Sequence, residues 1–245
     1  MNNNIHPPRG FRPSVSWKAI TPFAVAAAML TSAQEVQANP SQEANWYISA
    51  GAQQIIDASG SGPDIDFGNS VSVKGNSSYD GEQALNIAVG REFNLSNDSR
   101  RSPNMRVEVQ YWDGSVHRKH VDLGVVSVNL NDRIDLRALF LNGFIRLAKG
   151  DNSRLWFGPG IGYAWTSFPD ASYATPCGCL KAADSAGLAL QLKLQGERMV
   201  SEKTSIFGEV GYVNFQGADS DGGVPSAHYG NLGMTTVGIG VITRF

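Results

Sequence analysis

The sequence predicts an all-β fold: an eight-stranded antiparallel up-and-down transmembrane β-barrel, preceded by a cleaved signal peptide. Three observations point there. Eight segments alternate apolar and polar residues with period two, the signature of strands with two unlike faces. The gaps between them are alternately long and short, and aromatic residues gather near the segment ends. Composition narrows the alternatives: the 245 residues carry a formal net charge of -2, 17% charged residues, 27 Gly and 2 Cys. So balanced a charge gives no electrostatic footprint for nucleic acid. Two Cys are too few for a disulfide scaffold or a Cys-rich zinc site, and no stretch approaches the roughly 18 apolar residues of a membrane-spanning helix.

Residues 1–38 read as a targeting segment. Arg9, Arg12 and Lys18 make a basic region, and an apolar run over 19–30 follows, interrupted by Thr21 and Pro22. Val36-Gln37-Ala38 fits the small-residue cleavage rule and puts the cut between Ala38 and Asn39. The apolar part has signal-peptide length and is too short to span a bilayer. The barrel domain is then 39–245, an exported chain with 17 Lys+Arg against 21 Asp+Glu.

The first segment is 46–55. In the second, 83–93, Leu85, Ile87 and Val89 oppose Asn86, Ala88 and Gly90. The third, 105–112, sets Met105, Val107, Val109 and Tyr111 against Arg106, Glu108 and Gln110. Segment four, 134–147, is apolar on both faces; Leu139, Leu141, Ile145 and Leu147 are assigned outward because Asn142 and Arg146 would be costly against lipid. The fifth, 155–165, opposes Phe157, Ile161 and Tyr163 to Gly158, Gly160 and Gly162. Segment six, 186–197, sets Leu188, Leu190, Leu192 and Leu194 against Ala189, Gln191, Lys193 and Gln195. In the seventh, 206–215, Ile206, Val210 and Tyr212 face away from Glu209 and Gly211. The last, 235–245, opposes Val237, Ile239, Val241 and Phe245 to Gly238, Gly240 and Arg244.

Each segment is long enough to cross a bilayer as a tilted strand. Gaps after the first, third, fifth and seventh run about 27, 21, 20 and 19 residues, and those after the second, fourth and sixth about 11, 7 and 8. That alternation is expected of an outer-membrane barrel with short periplasmic turns and long external loops. The long gaps are rich in Gly, Ser, Asn and Asp and read as flexible loops with little capacity for a core. Trp156 and Phe157 open the fifth segment and Tyr163 and Trp165 close it, while Trp46, Tyr111, Trp112, Tyr212 and Phe215 also lie near segment ends, as two aromatic girdles would require.

The inward faces then carry Glu92, Arg106, Glu108, Arg146, Lys193, Glu197, Glu209 and Arg244, four acids and four bases. Eight strands leave an interior just wide enough for side chains to fill it, so a polar, ion-paired plug is expected and not an open channel. Glu197 and Glu209 need basic neighbours that the sequence does not identify. The interior glycines mark bending, or close approach of side chains from across the barrel. The string GPGIG lacks the Lys-Ser/Thr and helix of a phosphate loop.

Three stretches resemble the opacity-protein-like, OmpA-type small outer-membrane β-barrels of Gram-negative bacteria. ALFLNGFIRLAKGDNSRLWFGPGIGYAW (138–165) is similar to that group's central hairpin, NWYISAGAQ to its first strand, and VGIGVITRF to its C-terminal signal. The resemblance covers essentially 45–245 and implies outer-membrane lipid as the surroundings. It also implies recognition by the barrel-assembly machinery through Gly240, Val241 and the terminal aromatic Phe245, although Thr243 stands where a hydrophobic residue is usual.

Little other chemistry is left. His117 and His120 share a long gap, but no carboxylate or Cys is spaced to complete a metal site with them. Cys177 and Cys179 form a candidate disulfide in an oxidising exterior, with free thiols or a soft-metal contact as the other readings. Some eight-stranded barrels modify lipid A with a His/Ser/Glu set; His228 is followed by Tyr229 and Gly230, without a His-x-Ser motif. The expectation is a non-enzymatic outer-membrane barrel without cofactor, whose loops serve envelope structure, surface interaction or adhesion. The sequence names no surface partner. The alternatives are a narrow porin for small solutes and a lipid-A-modifying enzyme.

Overall fold

The computed structural model describes residues 46–93, 104–124, 126–174, 178–220 and 225–245. Ala38, Asn39 and Cys177 lie outside the described residues. The strands are β1 (Trp46–Asp66), β2 (Ser72–Phe93), β3 (Met105–Asp122), β4 (Ser127–Lys149), β5 (Ser153–Phe168), β6 (Ala183–Met199), β7 (Thr204–Phe215), β8 (Ala218–Asp219), β9 (Ser226–Tyr229) and β10 (Leu232–Arg244). Eight of them form an antiparallel ring in the order β10-β7-β6-β5-β4-β3-β2-β1, with β10 also paired to β1 from Tyr47↔Arg244 to Gly60↔Leu232. β8 and β9 make a small hairpin added to the distal end of β1 through Asp64↔His228 and Ile65↔Ala227.

Burial is inside out relative to a water-soluble core. On β6, Leu188, Leu190, Leu192 and Leu194 are 43–52% exposed, whereas Gln191, Lys193, Gln195 and Glu197 between and beside them are 2–3% exposed. Leu141, Ile145 and Leu147 on β4, Ile161 on β5, Val210 on β7 and Val237, Ile239 and Val241 on β10 continue the outward apolar band. Large apolar rows in water would be a liability; against hydrocarbon they are the required surface.

The first four strands run far beyond that band. β4 has 23 residues, where a tilted crossing needs about 9–11. The stretches 57–80 and 113–133, expected as flexible loops, are instead mostly paired strand: β1 and β2 pair out to Asp66↔Ser72, and β3 and β4 out to Asp122↔Ser127. The reason is visible along β4. Its outward positions are Leu139, Leu141, Ile145 and Leu147 in the band but Asn129, Asn131, Arg133, Asp135 and Arg137 beyond it. Its inward positions change the opposite way, from Asn142 in the band to Phe140, Ala138, Leu136, Ile134 and Leu130 further out, with Asp132 among them held by Arg118. The period of two never breaks; only the outer solvent changes, from lipid to water, and each face changes with it.

The extensions end in tight turns. Asp66 accepts the backbone N–H of Gly68 at 2.8 Å, Asp122 that of Gly124 at 2.8 Å and Asp170 that of Ser172 at 2.8 Å. Each is an Asx turn, in which the carboxylate mimics a backbone carbonyl two residues back. These bonds hold the Asp122 and Asp170 carboxyls below the usual carboxylate range, the Gly124 N–H leading for Asp122 and the Ser172 hydroxyl for Asp170. Beneath the turns, Ile65, Val121, Leu123, Leu130, Ala171, Cys179 and Leu180 form a small apolar cluster. Cys179 is buried and disulfide-bonded.

Candidate functional site

The interior of the ring is the part of the molecule with chemistry in it, and it has two layers. Nearer the short turns lies a network of charges. Glu92 accepts from Arg244 Nη2 at 2.9 Å and from Arg154 Nη1 at 3.1 Å. Arg244 also donates to Glu197 and, through Nη1, to Ser205 Oγ at 2.8 Å. Glu197 takes a hydrogen bond from Trp156 Nε1 at 3.1 Å and lies 3.8 Å from Arg106 Nη1. Arg106 is fully buried; it donates to Gln195, and its guanidinium sits 4.2 Å from the ring centre of Phe144 and 4.9 Å from that of Trp156. A desolvated cation over an aromatic face recovers part of what it loses on leaving water.

A second group follows along the axis. Lys193 Nζ lies 3.7 Å from Glu108 Oε1 and 3.6 Å from Glu209 Oε2. Tyr47 Oη donates to Glu108 Oε2 at 2.7 Å, Asn142 Nδ2 donates to Glu108 Oε1 at 3.1 Å, and Gln53 Nε2 donates to Glu209 Oε1 at 2.6 Å. The network thus brings together seven of the eight charged residues expected inside. It answers the question posed by the like-signed pair: Glu197 has Arg106 and Arg244, and Glu209 has Lys193. The fourth base touching the acids is Arg154, which sequence reasoning misses because it precedes the first clearly alternating residue of its strand. Arg146 is half-buried at the same mouth, within electrostatic reach of Arg154 and Glu92.

Further toward the extensions the filling is largely apolar, with the Arg118–Asp132 pair buried in it, which corrects the expectation of a polar, ion-paired plug along the whole interior. Trp112, Ile134, Leu136, Phe140, Phe168, Phe215, Tyr229 and Met234 belong to one buried cluster. Trp112 and Phe215 pack ring to ring at 5.4 Å, and Phe168 stacks on Tyr229 at 4.3 Å. Trp112, Trp156 and Phe215 are therefore interior, not girdle, residues. Trp112 and Trp156 each spend the indole N–H inside, on Gln53 Oε1 at 2.6 Å and on Glu197. Tyr163, Tyr212 and Phe157 do face outward. The interior glycines admit side chains from the neighbouring strand and not from across the ring: a Cβ on Gly158 would lie 2.4 Å from the Phe144 ring, and one on Gly162 2.6 Å from the Phe140 ring.

Outside the ring, just beyond the apolar band, is a belt of paired charges. Glu82 accepts from the Ser115 hydroxyl, lies 2.6 Å from His117 Nε2 and 3.6 Å from Arg133 Nε; Arg133 also meets Asp135 at 3.1 Å. The Ser115 hydrogen bond, with His117 and Arg133 adding to it, holds the Glu82 carboxyl below its ordinary value. His120 Nδ1 lies 3.0 Å from Asn129 Oδ1, and His228 Nδ1 lies 2.6 Å from Asp219. Among the described residues no group of three or more His, Cys, Asp or Glu is placed to hold a metal ion. At the ring's end, the backbone N–H of Phe245 donates to the Trp46 carbonyl at 3.0 Å while its side chain stays exposed. Val241 faces outward, and a Cβ on Gly240 would meet the Phe207 ring at 2.3 Å.

No family model matches the chain, and no curated protein matches it. Solved structures do. The outer membrane protein OprG from Pseudomonas aeruginosa superposes with a TM-score of 0.55 at 16% identity, covering 83% of this chain and 97% of that one. A major outer membrane protein from Thermus thermophilus gives a TM-score of 0.49 at 14% identity, over 83% of this chain and 100% of that one. Neisserial surface protein A gives 0.47 at 12% identity, over 82% and 97%. Identities this low speak to fold alone. With its ring of eight antiparallel strands, this chain has the fold of the small outer-membrane β-barrels.

Proposed function

We propose that the chain is a non-enzymatic, opacity-protein-like barrel of the Gram-negative outer membrane, and that its ring anchors ordered strand extensions at the cell surface for envelope structure or surface interaction. In this reading residues 1–38 direct export and are removed at Ala38-Asn39. Gly240, Val241 and Phe245 then serve as the signal for the barrel-assembly machinery. The observation that carries the proposal is the exposed Leu row of β6 beside buried Gln191, Lys193, Gln195 and Glu197. Only a hydrocarbon surrounding makes both sides of that strand favourable. The extensions support a surface role: β1–β4 project polar outer faces over their own apolar cluster, which makes a structured platform.

A conducting role is disfavoured by the two-layer filling. An ion entering from the short-turn side would meet paired charges and then the Trp112, Phe140, Phe215 and Met234 layer. Planar-bilayer recording of purified protein tests this. Insertion without steady unit conductance is expected; reproducible single-channel steps would replace the anchor reading with the porin one. Mass spectrometry of lipid A from cells with and without the protein tests the enzyme reading, and an unchanged profile is expected.

A further inference from the structure

We infer that the ring contains a built site for bound water at the junction of its charged and apolar layers, formed by Gln110, Asn142, Gln191 and Thr236. These side chains come from β3, β4, β6 and β10, and the residues are between 0% and 2% exposed. Five of their polar atoms have no hydrogen-bond partner among the described residues: Gln110 Nε2, Asn142 Oδ1, both amide atoms of Gln191, and Thr236 Oγ1. That is two donors, two acceptors and a hydroxyl able to do either. Buried polar atoms left unpaired are rare and costly, and several in one place point to a ligand with both donors and acceptors.

Asn142 stands beside Gln110 and Gln191, and Thr236 stands beside Lys193. Asn142 Nδ2 donates to Gln110 Oε1 at 2.8 Å and to Glu108 Oε1 at 3.1 Å. Facing a carboxylate fixes the orientation of this amide, because turning it over would set two oxygens against each other. Its Oδ1 therefore points elsewhere, over Gly160, where an added Cβ would lie 1.9 Å from Asn142 Oδ1 and 3.5 Å from Gln191 Cβ. Gly211 plays the same part on β7: its Cβ position is 2.8 Å from Thr236 Oγ1 and 3.9 Å from Lys193 Cγ. The two glycines let these polar atoms lie against the strand backbone, where a side chain would exclude them. Lys193 Nζ reaches Glu108 and Glu209 only at 3.7 and 3.6 Å, longer than a direct hydrogen bond and suited to a bridging molecule.

Water is the ligand this chemistry selects. A buried water makes about three hydrogen bonds, so five unpaired atoms with the Lys193 ammonium beside them call for about two. Trp112 and Phe140, the next inward residues after Gln110 and Asn142 on β3 and β4, are 0% and 1% exposed. Apolar surroundings do not draw water in, but unpaired amides and a hydroxyl beside an ion triad do.

Water–protein cross-relaxation in the full chain in lipid nanodiscs, with exchangeable sites protonated in a deuterated background, tests the site. The side-chain amide protons of Gln110 and Gln191 should show cross-peaks to water of the sign that marks long residence. The peaks should persist in Thr236→Val, which removes relay through the hydroxyl, and the Gln110 peak should be lost in Gln191→Leu. Absence of water cross-peaks at both amides of the wild-type protein overturns the inference, as does their loss in Thr236→Val. The wild-type measurement decides even if Gln191→Leu does not fold.

Discussion

Leu192→Arg separates a lipid surrounding from an aqueous one. Leu192 stands midway along the outward face of β6, between Pro159 on β5 and Tyr212 on β7, and is 47% exposed. Its neighbours on the same face are Leu190, Leu194, Ile161 and Val210, so no acid stands beside a new guanidinium. In water such a substitution on an exposed side chain changes stability by no more than about 0.5 kcal/mol. At the bilayer midplane an Arg on a barrel's lipid face costs about 2–4 kcal/mol, roughly 30- to 900-fold in the folding equilibrium. The assay is urea-dependent folding into phospholipid vesicles, followed by tryptophan fluorescence and by migration of unboiled samples on a detergent gel. Asn131→Arg, on the outward face of the β4 extension, is the matched control and should stay within about 0.5 kcal/mol of wild type. If Leu192→Arg behaves like Asn131→Arg, the apolar band does not face hydrocarbon, and the outer-membrane reading fails with it.

Three further outcomes are expected. Lys193→Met leaves Glu108 and Glu209 buried without their shared cation, and removing one partner of a buried ion pair costs about 3–5 kcal/mol; the same urea assay should record a loss of that order, and a neutral result would mean the triad is not buried in the bilayer-folded protein. Glu82, whose folded pKa is lowered, contributes stability that is fully present above its unfolded value near 4.5 and is lost as pH falls through the folded value. Amide exchange at Ser115 and His117, corrected for intrinsic rate, should therefore accelerate on acidification through that window in wild type, and Glu82→Gln should flatten the dependence. Gly160→Ala places a methyl against Asn142 Oδ1 and should destabilise the ring by about 1–3 kcal/mol in that urea assay; an unchanged midpoint would mean that Asn142 is free to move aside.

What can be read from the sequence follows from which solvent each face meets. Where the outer face is Leu, Val and Ile, as in 188–194, alternation stands out, and all eight ring strands are legible there. Along 113–122 (DGSVHRKHVD) the alternation continues, but the outward residues are Asp113, Ser115, His117 and Lys119 and the inward ones include Gly114, Val116 and Arg118. A strand with water outside and a narrow core inside has the composition of a loop, so the extensions read as loops. Bulges, as between Gly81 and Ala84 opposite Gly114 and Val116, blur the phase further. The interior charges are legible because Glu or Arg on the inward side of a lipid-facing row has nowhere else to go. Their partners are not, because pairing depends on register around the ring: Glu92 on β2 meets Arg244 on β10 and Arg154 on β5, contacts that span 152 and 62 residues. Trp112 and Trp156 mislead for a related reason. An aromatic near a strand end fits a girdle equally well on either face until its parity with the charged positions is weighed, and both share the parity of Arg106, Glu108 and Arg154.

The order of the two interior layers has a consequence for any movement through the ring. Near the short turns the side chains are held by charge-assisted hydrogen bonds, whose partners cannot separate without leaving an uncompensated charge in a poorly polarisable setting. Nearer the surface they are held mainly by packing, with the Arg118–Asp132 pair buried among the apolar side chains, and opening a passage means moving Trp112 and Phe215 apart from their 5.4 Å contact. The two restraints differ in kind, so no single local change releases both. Protonation acts chiefly on the first layer and, in the second, on the Arg118–Asp132 pair alone, while cavity-making substitutions such as Phe140→Ala act on the packing of the second. A solute path therefore needs a concerted rearrangement of β3, β4, β7 and β10, of which β3 and β4 also run on into the extensions. Trp112 on β3 and Phe140 on β4 thus belong both to the closed interior and to strands that continue into the extensions, so a substitution that opens the interior also perturbs the base of those extensions.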